Sequence, residues 1–385
     1  MRKYKQTHPW LRFELDMRPF PWTLWLLLGE AQSKCEHIAG VPLRPDVAAK
    51  LHRVYLAKGV HATTAIEGNT LSEGDVLAHM DGTLKVPPSK QYLEKEISNV
   101  LAALDSIFDD GLGGSDMLQP ERIKAYNARV LDGVPHGDGV VPGESRTHGV
   151  GVGHYLAPPA EDCEHLLARL CEWLNGQSFC PGAHANMAFA IVKAVLAHLY
   201  LAWIHGFGDG NGRTARLVEF QILVGAGVPS PAAHLLSNHY NETRAEYYRQ
   251  LQQASASGGD VVPFIQYAVQ GLVDGLKAQV AEIRLLQMEV AWRNLVHEQF
   301  RDTSAVSQRR RHLVLDLSGK GLIPEDEVAH VSPRVAEGYA GLTKKTLTRD
   351  LQMLEREHLV VRDGGMVSAN TALISAFLPE RRSHH

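Results

Sequence analysis

His205-Gly206-Phe207-Gly208-Asp209-Gly210-Asn211-Gly212-Arg213-Thr214-Ala215-Arg216 sets a histidine, a carboxylate, a glycine-spaced turn and two arginines within one short stretch. An apolar run from Met187 to Ile204 leads into it, and Arg213 to Val224 leaves it with apolar residues at helical spacing, so it reads as a loop joining two helices. The glycines around Asn211 permit positive φ and can turn several N–H groups toward one point, a concave nest for an anion. The second helix starts at that nest, with its unpaired N–H groups and positive dipole end facing the same place. Arg213 and Arg216 share one helix face, where two guanidiniums can neutralise β- and γ-phosphates. Asp209 offers a hard oxygen for Mg2+, and His205 is placed to take a proton from an attacking hydroxyl. A purely structural turn needs neither the carboxylate nor arginines in register with it, so the combination points to chemistry on a phosphate.

The stretch resembles the signature of the Fic family, His-x-Phe-x-Asp/Glu-Gly-Asn-Gly-Arg-x-x-Arg, and matches it at every fixed position. Gly206 departs from the proline usual at that place. The resemblance implies a mainly α fold, a Fic-type helical core with a β-hairpin flap, and transfer of AMP from Mg-ATP to a Ser, Thr or Tyr hydroxyl of a target protein. ATP and Mg2+ are accordingly the expected cofactors. By the same resemblance His205 is the general base, Phe207 anchors the loop and Asp209 holds the metal. Gly210, Asn211 and Gly212 line the nucleotide, with Asn211 at the α-phosphate, and Arg213 and Arg216 hold the distal phosphates. A bifunctional enzyme that also removes AMP would use the same pocket, with Glu67 orienting water.

Thr63-Thr64-Ala65-Ile66-Glu67-Gly68-Asn69 lies far upstream. From Asp46 to Glu67 the pattern is helical with a break near Gly59, and Gly68 suits a left-handed cap after the last turn. The Ser/Thr-x-x-x-Glu-Gly/Asn pattern resembles the inhibitory helix of many Fic proteins, which implies that Glu67 pairs with Arg216. An arginine occupied by a carboxylate cannot hold a γ-phosphate, and the added negative charge repels one.

Pro142 to Gly153 reads as a short hairpin whose glycines leave an open edge, and an open edge can hold a peptide by main-chain hydrogen bonds. Its Pro-Gly-Glu-x-Arg-Thr start resembles the target-docking flap of the family, which implies docking at Thr147, Gly149, Val150 and Gly151. His148 and His154 flank this edge and read as surface histidines rather than metal ligands.

The 385 residues are 44% hydrophobic and 21% charged with a net charge of −4, a globular composition with no global field for nucleic acid or an anionic membrane. Cys35, Cys163, Cys171 and Cys180 lack Cys-x-x-Cys spacing and suit a reduced compartment. Trp22 to Leu28 is too short to span a bilayer and Met1 to Thr7 is not followed by a secretory h-region, so a cytoplasmic protein without a membrane partner is expected. The expected partners are an unidentified target protein, the chain itself as a substrate, and further copies in a homo-oligomer such as a dimer.

Four regions are expected: an N-terminal helical arm over 1–58 with Trp10, Trp22 and Trp25, a Fic catalytic core over 59–255, a helical connector over 256–301, and a winged-helix-like domain over 302–385. Helices are expected over Ser89–Phe108, Pro120–Leu131, Ala160–Leu174, Ala183–Ile204, Gly212–Val224 and Glu242–Gln252. In the last region Leu347, Leu351 and Leu354 recur at helical spacing, and Asp363-Gly364-Gly365 joins two short strands as a tight hairpin. Lys344, Lys345, Arg349 and Arg362 suit phosphates, whereas Asp350, Glu355 and Glu357 oppose them. A protein-docking or packing role is therefore favoured there, and a DNA-binding regulator is the alternative.

Overall fold

A computed structural model describes residues 2–109, 117–153, 155–179 and 186–375. The chain forms two compact units, Met1–Val280 and Ala281–His385.

The first unit begins with α1 (Tyr4–Thr7), α2 (Trp22–Gly40), α3 (Pro45–Ala65), α4 (Glu73–Met80), α5 (Gln91–Asp109) and α6 (Pro120–Leu131). A hairpin of β1 (Gly151–Val152) and β2 (Tyr155–Leu156) follows. Then come α7 (Cys163–Leu174), α8 (Asn186–Ile204), α9 (Asn211–Gly225), α10 (Ser230–Ala233), α11 (Leu235–Glu242), α12 (Arg244–Ala256) and α13 (Val262–Gln299), the last of which crosses into the second unit. The core is built on α8, where Ile191, Ala194, Val195, Leu199 and Ile204 have no solvent exposure, and which packs along α9 and against α2 and α7. Each of the valine, leucine and isoleucine side chains contributes roughly 2 kcal/mol by leaving water. The window Met187–Ile204 is long and apolar enough to cross a membrane, and 78% of it is buried inside the fold.

Several expectations change on folding. Helix α3 runs unbroken through Gly59, whose missing side chain is a clearance: a Cβ there would overlap the buried His234 ring. Tyr4, Leu11 and Phe13 anchor the N-terminal arm, and α2 turns Leu24, Leu28, Ala31 and Cys35 inward. Trp22 and Trp25 lie on the other face and remain exposed. Cys163 and Cys171 are buried on α7, as their helical spacing suggests; Cys180, His154 and the expected helix start at Ala183 lie outside the described residues.

The second unit places α14 (Ala305–Leu317), β3 (Ile323–Pro324), α15 (Pro333–Tyr339), α16 (Lys344–Arg356), β4 (Val360–Asp363) and β5 (Met366–Ala369) in winged-helix order. The strands pair antiparallel in the order β3-β5-β4, with β3 an addition to the expected two-stranded wing. The turn closes Asp363 against Met366, and Gly364 and Gly365 take φ of +55° and +78°. Two residues at positive φ match the right-handed twist of the flanking strands. Leu313, Val314, Leu317, Val335, Leu351, Leu354 and Val367 form the core of this unit.

Candidate active site

His205 follows the last turn of α8 with φ of +45°, a left-handed backbone that costs a non-glycine residue roughly 1–2 kcal/mol. The strain is held from outside the loop. Arg146 donates from Nε to the His205 carbonyl at 2.7 Å, and its backbone N–H donates to the Gly206 carbonyl at 2.9 Å. The same guanidinium donates to the carbonyls of His148 at 2.7 Å and Pro158 at 2.5 Å, on either side of the β1–β2 hairpin. One buried cation thus fixes the histidine and both feet of the hairpin. Burial lowers the pKa of His205 below its ordinary 6.5, against a hydrogen bond to Ala202 and the carboxylates of Glu67 and Asp209, and Arg146 adds to the lowering. A neutral imidazole is the form that accepts a proton.

The turn after His205 is tied by its own side chains. Asn211 accepts from the Phe207 N–H at 3.0 Å through Oδ1 and donates to the Phe207 carbonyl at 2.9 Å through Nδ2. Both ends of the carboxamide thus hold the loop, and Asn211 also lines the cavity in which its contact with the α-phosphate is expected. Phe207 is buried and pins the turn to the core, as expected. Of the three glycines only Gly210 takes positive φ, +74°. Gly208 and Gly212 are clearances: a Cβ on the first would press on Val140 at 2.8 Å, and one on the second would overlap the Glu67 carboxylate. Asn127, buried on α6, donates to the Asp209 carbonyl at 2.8 Å and accepts from the Gly143 N–H at 3.0 Å, locking the loop to the segment before the hairpin.

Helix α3 ends beside this turn. Gly68 takes φ of +101°, and the Asn69 N–H returns to the Thr64 carbonyl at 3.1 Å, as a glycine cap should. The tightened last turn leaves the Thr63 carbonyl to accept from Arg216 Nη2 at 3.0 Å, and Glu67 Oε1 accepts from the same nitrogen at 2.5 Å. The sequence-expected pair therefore forms. Burial alone would raise the Glu67 carboxyl, but Arg216, with Arg213 and His205 nearby, holds it below its ordinary value. Arg216 is almost fully buried, and its Nε and Nη1 carry no hydrogen-bond partner among the described residues. A buried guanidinium with open donors is prepared for an anion.

Arg213 is more committed than its position suggested. Its Nη1 meets Glu96 at 3.0 Å and its Nη2 meets Asp209 at 3.4 Å. Glu96 also accepts from Asn69 Nδ2 at 2.9 Å, so the end of α3 and the start of α9 share one acid on α5. Asp209 accepts from the Gly210 N–H at 2.5 Å through Oδ1, while Oδ2 has no hydrogen bond within the described residues and the side chain is 41% exposed. That open oxygen fits a hard divalent cation.

A cavity of about 560 Å³ opens on His205, Asn211, Gly212 and Glu67, with Tyr248, Leu251 and Ser255 of α12 and its end along one wall and Val152, Gly153 and Tyr155 of the hairpin along another. The hairpin is displaced from its expected place: Gly151 pairs Leu156 and Val152 pairs Tyr155, whereas Ser145 forms a lone bridge with Phe207. Thr147 and Gly149 precede the strands and are exposed with Gly151, and Val150 accepts from the Ala157 N–H at 3.1 Å. His148 is exposed, as expected of a surface histidine. Sequence reasoning missed Glu96, Asn127 and any role for Arg146. Polar residues on the buried faces of α5 and α6 were the available signal for the first two.

The profile of the Fic/DOC family matches residues 117–223. Protein adenylyltransferase fic-1 of Caenorhabditis briggsae is 34% identical over 213 residues, which cover 55% of this chain and 38% of the relative. Protein adenylyltransferase Fic of Nematostella vectensis is 29% identical over 211 residues, covering 55% of this chain and 45% of the relative. The chain thus spans less than half the length of these relatives. The solved structure of a Fic family protein from Desulfovibrio desulfuricans superposes with a TM-score of 0.58 at 20% identity, covering 92% of this chain and 98% of the other. Fic-1 from Caenorhabditis elegans superposes with the same TM-score at 27% identity, covering 68% of this chain and 73% of the other. The chain carries a Fic/DOC-family domain, homologous to known Fic adenylyltransferases.

Proposed function

We propose that this chain transfers AMP from Mg-ATP to a hydroxyl of a protein, and that Glu67 holds it nearly silent at rest. The observation that carries the reading is the placement of His205, its pKa lowered by burial, at a cavity lined also by Asn211 and Gly212 at the start of α9 and by Glu67, the carboxylate that binds buried Arg216.

The N–H groups of the first turn of α9 lack intrahelical partners, and Asn211 and Gly212 of that turn line the cavity, so the helix start adds backbone contacts to the phosphate contact expected of the Asn211 side chain. Asp209 would hold Mg2+ through its open oxygen; the metal would neutralise charge on the phosphates. The target segment lies along the hairpin, where Thr147, Gly149 and Gly151 leave the backbone accessible. His205 takes the proton of the target hydroxyl as its oxygen attacks the α-phosphorus, and the bond to the leaving pyrophosphate breaks. Arg216 and the helix N-terminus stabilise the charge that gathers on pyrophosphate. With Glu67 bound to Arg216 the distal phosphates cannot settle there, so the triphosphate lies off the line of attack.

Intact-mass measurement of the purified protein after incubation with Mg-ATP tests this. Glu67→Gly is expected to gain the mass of AMP, and the same variant with His205→Ala is not. No added AMP on the released variant or on an added acceptor protein would overturn the reading.

A further inference from the structure

The second unit, apart from the active site, carries a segregated charge pattern that the linear sequence hides. Residues 302–375 hold ten Lys or Arg and ten Asp or Glu, so the domain as a whole offers a polyanion no net attraction. Folding sorts these charges. Asp350, which in sequence opposes phosphate binding from the middle of α16, is buried, with Arg309 Nη2 at 2.8 Å, Arg310 Nε at 2.6 Å and Tyr339 Oη at 3.0 Å. Glu355 lies at the edge of the helix surface, 3.3 Å from Arg362, which also binds Glu325 at 2.8 Å. Arg362 is thereby removed from the expected cation set while Asp350 is removed from the acids.

Helix α16 buries Leu351 and Leu354 with Asp350. On the opposite face, at helical spacing, stand Lys345, Arg349, Gln352 and Arg356, all exposed, with exposed Lys344 in the first turn. On that face no acid falls between Lys345, Arg349, Gln352 and Arg356; Lys344 shares its edge with Glu355, whose carboxylate meets Arg362. None of the four cations Lys344, Lys345, Arg349 and Arg356 is ion-paired among the described residues. Arg356 makes only a long hydrogen bond, at 3.4 Å, to the Gln352 carbonyl of its own helix. In the helix-turn-helix formed by α15 and α16 this outward face is the one free to enter a groove. At 1.5 Å per residue its 13 residues extend about 20 Å, and an α-helix fits the major groove of duplex DNA.

We infer that α16 is a duplex-DNA-binding helix, with Lys344, Lys345 and Arg356 on phosphates and Arg349 and Gln352 toward base edges. Charge complementarity selects the partner: a stripe of cations and one carboxamide, without an apolar anchor, fits a phosphate backbone and base edges better than a protein groove. Arginine and glutamine are also the side chains that pair with guanine and adenine edges in the major groove. The wing contributes less, because its tip carries Asp363 and its arginine is occupied. This role is independent of nucleotide transfer. It would bring the first unit to proteins assembled on the same nucleic acid.

The test uses the full chain and a labelled mixed-sequence DNA duplex, read by fluorescence anisotropy. With three phosphate contacts, affinity should fall about 40-fold between about 50 and 200 mM salt. Lys345→Glu with Arg349→Glu should weaken binding at low salt by more than about tenfold, because each replaces a phosphate or base contact by repulsion. His205→Ala, and Lys50→Glu on an exposed turn of α3, should bind as the parent does, which separates this site from the transferase and from charge alone. Both α16 residues are exposed, so an unchanged melting temperature will accompany the loss. Absence of duplex binding at low salt would overturn the inference, as would binding that survives the double reversal or falls equally with Lys50→Glu. Selective capture of a protein by the parent through the same residues, without duplex binding, would also overturn it.

Discussion

The Arg146 guanidinium donates to the His205 carbonyl at 2.7 Å, so the left-handed backbone of the candidate base is imposed by a residue 59 positions earlier in the chain. Because the same side chain grips the carbonyls of His148 and Pro158, loop and hairpin are positioned together. Arg146→Ala, made in a Glu67→Gly background, is expected to lower transfer at least tenfold and to destabilise the fold by about 2 kcal/mol or more, since each buried hydrogen bond from a charged group contributes roughly 1.5–3 kcal/mol. Arg146→Lys keeps the charge but not the three-way fork, and should recover stability better than rate. Equal rates in all three proteins would show that the clamp does not position the histidine.

Release of Glu67 is the second expectation. The carboxylate binds Arg216 Nη2 at 2.5 Å and lies against Gly212, where any side chain would collide with it. If the pair biases the triphosphate toward unproductive poses by about 3 kcal/mol, its loss raises the rate about 100-fold, at 1.36 kcal/mol per factor of ten. Auto-modification with labelled ATP compares wild type with Glu67→Gly and with Glu67→Gln, which keeps the bulk but loses the charge. Gln should fall between the two. Wild type and Glu67→Gly reacting at one rate, both folded, would remove Glu67 from regulation.

The pH profile follows from the direction of the His205 shift. Burial places its pKa below 6.5, and only the neutral ring accepts a proton, so transfer should rise as pH climbs through that lowered value and level off on the alkaline side of it. In Glu67→Gly a carboxylate that raises the histidine pKa is gone, so the acid limb moves lower; in Arg146→Ala a cation that lowers it is gone, so the limb moves higher. Rate against pH for the single and double variants measures both displacements. A limb centred above 6.5 in Glu67→Gly would contradict a buried, neutral base.

Two helical glycines should respond in opposite senses to alanine. Gly29 in α2 has nothing within 4 Å of the place a Cβ would take, so Gly29→Ala gains helix propensity of up to about 1 kcal/mol. At Gly59 the new methyl would meet the His234 ring, which is buried and stacked on Phe220 with centroids 4.5 Å apart. Overpacking there costs roughly 1–3 kcal/mol and outweighs the same propensity gain. Urea midpoints of the two variants should move apart, and a stabilised Gly59→Ala would mean that His234 yields freely.

The stretch from His205 to Arg216 was legible in sequence because its chemistry depends on residue types at short fixed spacing: a base, an acid, a glycine able to take positive φ, and two cations one helical turn apart. The end of α3 was legible for the same reason, since a glycine cap and its glutamate are local features. Hydrophobic periodicity likewise placed α6, α8, α9 and the helix and wing of the second unit. What tertiary structure alone decided is which long-range partner each polar group takes. Asn211 spends its amide on Phe207, Arg213 turns to Glu96, and Arg146 reaches His205, because buried polar groups must be satisfied by whatever the packing brings within about 3 Å. Glycine shows the same division: sequence marks it as permissive, but only packing separates Gly210, which bends the chain, from Gly59 and Gly212, which make room for a neighbour. Charge follows suit, since Asp350 and Arg349 are adjacent in sequence and differ wholly in environment, one held inside by two arginines and the other left on the surface.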